Sequence, residues 1–191
     1  MSSESLTDVE GLRRRAREHM ESGAVTAGYK ADRKAVIAML NTALATELVC
    51  VLRYMRHFHM AKGLTSAAIS QEFLEHANDE QVHVGQIAQR ITQLDGEPDF
   101  NPDGLSRRSH SEYKEGGDLV DMLREDLVAE RIAVESYGEI IRYLGNDDPT
   151  TRRLIEEILA KEEEHANDLA DLVSRLGAVQ NGESASAKRE R

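Results

Sequence analysis

The sequence predicts an all-α fold, a four-helix bundle in which two antiparallel helical hairpins are joined by one long crossover. Three observations lead there. The 191 residues are rich in Ala, Glu, Leu and Arg but hold only 3 Pro and 4% aromatics, a composition that favours helix. Apolar residues recur at helical spacing in four long segments. Two of the three gaps between those segments are very short and the other is long, which makes two tight pairs with one traverse between them.

Residues 1–28 read as an arm. They are polar, with the basic cluster Arg13, Arg14, Arg15, Arg17 and the glycines Gly23 and Gly28, and a short helix is expected from about Thr7 to Glu21. The bundle is expected over residues 29–176. Its first helix begins after Asp32, an N-cap residue, and repeats Val36, Met39, Leu40, Leu44, Glu47, Val51, Tyr54 and Phe58 up to Lys62, where Gly63 ends it. Thr65 caps the second, whose stripe of Ile69, Phe73, His76, Glu80, His83, Ile87 and Ile91 runs to Leu94, with Gly96 just past the end.

Residues 96–117 carry Pro98, Pro102 and four glycines and form the long connection. The third helix follows Asp118 with Leu119, Leu123, Leu127, Glu130, Val134, Tyr137 and Ile141, and stops at Gly145. Asp148 and Pro149 supply the N-cap and first position of the fourth, which shows Leu154, Ile158, Glu162, His165, Leu169, Leu172 and Leu176 before Gly177. Each helix is about 40–47 Å long at 1.5 Å per residue. An extended connection of this length spans roughly 70 Å, so it can travel the whole bundle. Residues 177–191, almost without apolar content, read as a disordered polar tail.

A chain of this size makes one domain. The net charge of −11 argues against non-specific nucleic-acid binding by the body and leaves DNA contact to the basic cluster Arg13 to Arg17 and the terminal Lys188, Arg189 and Arg191, for which a solubilising role is the commoner reading. Cys50 is the only cysteine, so no intrachain disulfide or Cys-rich zinc site can form. The N-terminus lacks an apolar leader and no unbroken run reaches 18 apolar residues, so a cytoplasmic protein without a membrane span is expected.

Glu47, Glu80, Glu130 and Glu162 each sit mid-helix in an otherwise apolar stripe, and histidines follow the second and fourth of them by three residues, at His83 and His165. Residues three apart share a helix face. A carboxylate in such a stripe is costly unless paired or coordinated, and four in one core repel unless cations lie between them. Two divalent ions would offset four carboxylates, and an oxygen-rich set with one imidazole per metal suits iron better than structural zinc. The expected centre is therefore di-iron, with two Fe ions per subunit held by Glu47, Glu80, His83, Glu130, Glu162 and His165. The plain alternative is that some of these acids lie at the stripe edge in solvent.

Tyr54 and Tyr137 lie two turns past Glu47 and Glu130 on the same faces, as hydrogen-bond donors to the site, as redox-active neighbours of the metals or as ordinary core tyrosines. His76 reads either as an accessory iron ligand or as a partly buried histidine bonded to Glu72 or Glu75. His57 and His59 lean toward surface roles, Cys50 is a small buried hydrophobe, and Glu163 and Glu164 point to other faces than Glu162.

The runs LNTALATELVCVLRY, DEQVH, MLREDLVAERIA and ILAKEEEH resemble the four ligand segments of the bacterioferritins, in the ferritin-like superfamily, over about residues 35–176. The resemblance implies a ferroxidase centre with Glu47 and Glu162 as terminal ligands, Glu80 and Glu130 as bridges, one nitrogen each from His83 and His165, and Tyr54 as the tyrosine that family keeps near its centre. Where that family places a haem-ligating methionine, this chain has Gln81, so haem is not predicted. A fifth apolar helix is also missing, which makes the chain similar to the Dps-like branch and favours a 12-subunit homo-oligomeric cage over one of 24.

The expected function is oxidation of Fe(II) to Fe(III) with O2 or H2O2 and storage of iron in a hollow shell, limiting oxidative damage. The alternatives are a rubrerythrin-like di-iron peroxidase and a Dps-like DNA-protecting protein; DNA binding is not expected of the body.

Overall fold

The computed structural model describes residues 8–61 and 67–187, with side chains as far as residue 176. Among these residues it is all-helical: α1 (Val9–Arg15), a 3-10 turn (Met20–Ser22), α2 (Arg33–Met60), α3 (Ala67–Gln93), α4 (Leu105–Arg108), α5 (Leu119–Leu144) and α6 (Pro149–Ala187). The expected Gly63 stop, the Thr65 cap and the first residues of the arm fall outside the described residues.

Three caps stand where the sequence put them. Asp32 accepts from the N–H of Lys34 and Ala35 at 3.0 and 3.1 Å, and Asp118 from Val120 and Asp121, both at 2.9 Å. Asp148 accepts from Thr151 N–H at 2.9 Å, satisfying donors that a helix start leaves open. Gly145, at φ +49°, ends α5. The end of α3 is built differently from the expectation. Asp95 takes the left-handed turn at φ +60°, and Gly96 is required for space, since a Cβ there would lie 2.9 Å from Ile37 Cγ2.

Residues 61–66 join α2 to α3 and residues 145–148 join α5 to α6. Links that short make each pair an antiparallel hairpin. The crossover lies along α2. Asn41 bonds Glu97 O and Asp99 N, Thr46 accepts from His110 N–H, Arg53 donates to Glu112 O and His57 meets Glu115 O. It thus follows α2 from near its start to near its end, about 24 Å at 1.5 Å per residue. It delivers α5 to the end of the bundle where α2 finishes. This is the topology that the sequence predicts.

The core divides into two apolar clusters. One gathers Leu40, Leu44, Ile87, Ile91, Leu144 and Ile155; the other gathers Tyr54, Ile69, Phe73, Met122, Leu123 and Leu169. Burial at roughly 1.5–3 kcal/mol per large side chain holds each end of the bundle, and the four acids lie at the seam between the ends. The arm touches the first cluster through Val25 and Tyr29. Tyr29 donates to Asp148 Oδ2 at 2.8 Å, beside the Arg90–Asp148 ion pair.

One expectation needs correction. The fourth helix does not stop at Gly177 but continues to Ala187, so the segment expected to be a disordered tail is helical over residues 177–187; residues 188–191 lie outside the described residues. Glycine in a helix costs about 1 kcal/mol against Ala and does not break it as proline does, and the following Ala, Gln and Glu residues carry the helix on. In addition, α2 is long and apolar enough to cross a membrane by length and composition, yet half of its most apolar window is packed inside the bundle, as a core helix is.

Candidate metal centre

α2 and α3 bring Glu47, Glu80 and His83 to the seam, and α5 and α6 bring Glu130, Glu162 and His165. All six are at most 6% exposed. Glu47, Glu80, His83 and Glu162 form one group with ligand atoms mutually within 4.8 Å, and Glu80, Glu130, Glu162 and His165 form a second. The groups overlap in Glu80 and Glu162, whose oxygens divide between them. Glu80 Oε2 and Glu162 Oε1 lie 3.1 and 3.0 Å from His83 Nδ1, while Glu80 Oε1 and Glu162 Oε2 lie 3.5 and 3.6 Å from His165 Nδ1. Each of these two carboxylates thus faces both positions. Glu47 faces only the first and Glu130 only the second. This arrangement differs from the one implied by the resemblance: Glu80 and Glu162 each face both groups, and Glu130 faces one.

Both tyrosines point at the site and do so across the bundle. Tyr54 of α2 donates a hydrogen bond to Glu130 Oε1 of α5, and Tyr137 of α5 donates another to Glu47 Oε1 of α2. His165 Nε2 lies 3.2 Å from Asp79 Oδ2, which orients the ring so that Nδ1 faces inward.

The donor set fits a pair of hard-to-borderline divalent ions. Four of the five buried side-chain atoms without a hydrogen-bond partner among the described residues are Glu80 Oε1, Glu130 Oε2, Glu162 Oε1 and His165 Nδ1. Orphaned atoms of this kind are rare in a native core, and these four belong to the two overlapping groups.

Protonation tells the same story. Burial and the neighbouring Glu80 charge raise the pKa of Glu47, and burial with the charges of Glu80 and Glu162 pushes Glu130 well above the carboxylate range. Burial opposes charge on both ligand histidines, but the carboxylates around them win, raising His83 to about 12 and His165 to about 10. Protons therefore occupy the site at neutral pH, and cations must displace them. Titration with Zn(II), a redox-inert probe, in buffers of different ionisation enthalpy is expected to release at least about two protons per pair of ions, with affinity falling as pH falls. Binding without proton release would exclude these histidines as ligands.

Several polar residues escaped the sequence reading. His57, expected at the surface, is fully buried; its Nδ1 lies 2.8 Å from Asp126 Oδ2. Arg53 Nε donates to the other Asp126 oxygen at 2.6 Å, so an Arg–Asp–His cluster sits one turn before Glu130. His59 is exposed, as expected, as are Glu163 and Glu164. Cys50 is buried and 3.6 Å from Arg53 Nη2; burial raises its thiol pKa strongly. His76 is more buried than expected, at 3% exposure. It stacks on His165 at 3.9 Å between ring centroids and contacts both Tyr54 and Glu72. Burial and the neighbouring His165 charge pull its pKa down to about 3, so it is a neutral imidazole.

Fold and site together define a helical-bundle protein with two overlapping groups of candidate carboxylate and histidine ligands inside a single chain. The ferritin-like domain model matches residues 37–179. Bacterioferritin from Rhodobacter capsulatus is 30% identical over 152 residues, covering 78% of this chain and 89% of that protein. A nutrient stress-induced DNA-binding protein from Nostoc sp. is 30% identical over 150 residues, covering 74% and 80%. Among solved structures, a dodecameric thioferritin, the bacterioferritin-related protein from Bacteroides fragilis, superposes with a TM-score of 0.77 at 32% identity, covering 80% of this chain and 92% of that one. The chain belongs to the ferritin-like family, the family of iron-storing and Dps-type helical bundles.

Proposed function

We propose that this chain oxidises Fe(II) to Fe(III) with O2 or H2O2 at its intrachain paired site, with two Fe ions per subunit, and stores iron in a hollow homo-oligomer. One observation carries the reading: two ligand groups overlap in Glu80 and Glu162, each completed by its own terminal glutamate and histidine. Bound there, two iron ions supply one electron each to a two-electron oxidant. The chain's residues do the rest. Glu80 and Glu162 hold the pair together, and Glu47 and Glu130 close its two ends. Tyr137 and Tyr54 fix those terminal carboxylates by hydrogen bonds. The displaced protons are available to the reduced oxidant. The dodecameric relative from Bacteroides fragilis supports a 12-subunit shell.

The test is aerobic addition of Fe(II) at rising ratios to the metal-free protein. The expected result is a fast phase saturating near two Fe(II) per chain, followed by slower growth of a soluble ferric core in a particle of about twelve chains. Fast oxidation with all further iron lost as precipitate would favour the peroxidase reading instead. A DNA-protecting role has behind it the Nostoc relative's name and the basic last turn of α1, Arg13 to Arg15; a gel shift at physiological salt that depends on residues 1–28 would support it.

A further inference from the structure

Two apolar surfaces, one on the arm and one on the bundle, face outward in the single chain. On the arm, Val9 and Leu12 of α1 lie three residues apart and share a helix face. They are 49% and 47% exposed, and α1 packs against none of the other helices. A helix of seven residues is marginal in water without a surface to lie on, so α1 lacks a seat. The arm is fastened further along, where Val25 packs on the core and Tyr29 donates to Asp148. From that anchorage α1 stands clear of its own bundle.

On the bundle, two adjoining cavities of about 580 and 350 Å³ run along α5 and share His110, Ser136 and Glu139. Val128 and Ile132 line the first; Met39 of α2, Ile140 and Tyr143 line the second. Val128 and Tyr143 are 50% and 52% exposed. From Val128 to Tyr143 the groove is about 22 Å long at 1.5 Å per residue, against about 10 Å for α1.

Charge says what fits. α1 is acidic at its start, with Asp8 as cap and Glu10 in the first turn, and basic at its end, Arg13 to Arg15. The groove shows the complementary order along α5: the exposed Arg131 comes first, then the exposed Glu135 and Glu139. A helix laid parallel to α5 would set Glu10 beside Arg131 and the arginines beside the two glutamates, with Val9 and Leu12 turned to the apolar floor. An apolar helix face seated in an apolar groove is a recurrent mode of recognition, and complementary charges at its edges fix the direction.

We propose that the α5 groove of one chain is the seat for α1 of a second copy, so that the arms fasten neighbouring chains to one another. The proposal rests on the homo-oligomer of the proposed function and adds a contact to it.

The test uses the full chain carrying Leu12→Cys and Val128→Cys, with each single variant as control; the native Cys50 is buried. Mild oxidation is expected to give a ladder of covalent trimers and larger species on a non-reducing gel, where the single variants stop at dimers. Adding Glu135→Arg with Glu139→Arg should cut the cross-linked yield about tenfold, and further adding Arg13→Glu with Arg14→Glu should restore it to within about twofold. An intrachain disulfide, seen as a monomer that has lost both thiols, would give the groove to the chain's own arm and overturn the proposal. So would the absence of any cross-link, or a yield unmoved by the charge reversal. Native mass of the unaltered protein separates the failures: a many-chain particle without the ladder sinks only the arm contact, while single chains sink the oligomer as well.

Discussion

Glu47→Ala and Glu130→Ala are each expected to abolish the fast phase of Fe(II) oxidation, a loss larger than the 10–100-fold typical when only a ligand's supporting partner is removed. The reason lies in the unshared oxygens. On the proposed reading each position has one terminal carboxylate, Glu47 for the first and Glu130 for the second, so deleting either would leave one ion without a closing ligand and the oxidant without its second electron. The folded chain should survive. Each deletion removes a buried acid that its neighbours repel, which offsets part of the cost of the cavity it leaves. Stopped-flow absorbance of the ferric product, with native mass as the control for assembly, checks both parts. Undiminished rates in both variants would refute the site.

Asp126→Ala is expected to destabilise the chain by about 3–5 kcal/mol, because it leaves the Arg53 guanidinium buried and unpaired. Arg53 and Asp126 have 1% and 0% side-chain exposure, and the same carboxylate holds His57. At about 2–4 °C per kcal/mol for a chain of this size, the melting temperature should fall by roughly 6–20 °C at fixed protein concentration. Arg53→Met combined with Asp126→Leu should recover much of the loss, since replacing a whole buried ion pair by apolar groups is often neutral. A double variant as unstable as Asp126→Ala would show that packing around the cluster, and not its charge, is what matters.

The sequence made the four long helices and their acids legible because both rest on local periodicity. A stripe such as Leu40, Leu44, Glu47, Val51 states its inward face, and an acid inside it demands a partner. Asp32, Asp118 and Asp148 announced their helix starts for a similarly local reason. What lay hidden depended on contacts far apart in the chain. His57 sits near a helix end where exposure is the default, and only the crossover passing Glu115 and α5 presenting Asp126 bury it. Spacing places Glu130 and Glu162 on inward faces, but which one straddles both positions depends on the relative rotation of α5 and α6. Gly177 looked like a stop because a lone glycine is an ambiguous signal without its backbone angles.

Tyr54 and Tyr137 tie Glu130 and Glu47 reciprocally, each from the opposite hairpin, and both groups of candidate ligands draw oxygens from both hairpins. Neither half of the molecule owns a complete pocket. The pocket comes into being only when the halves meet, and an ion seated in it grips both at once. On the proposed reading cargo and clasp are the same object: filling the centre would lock the rods together at mid-length.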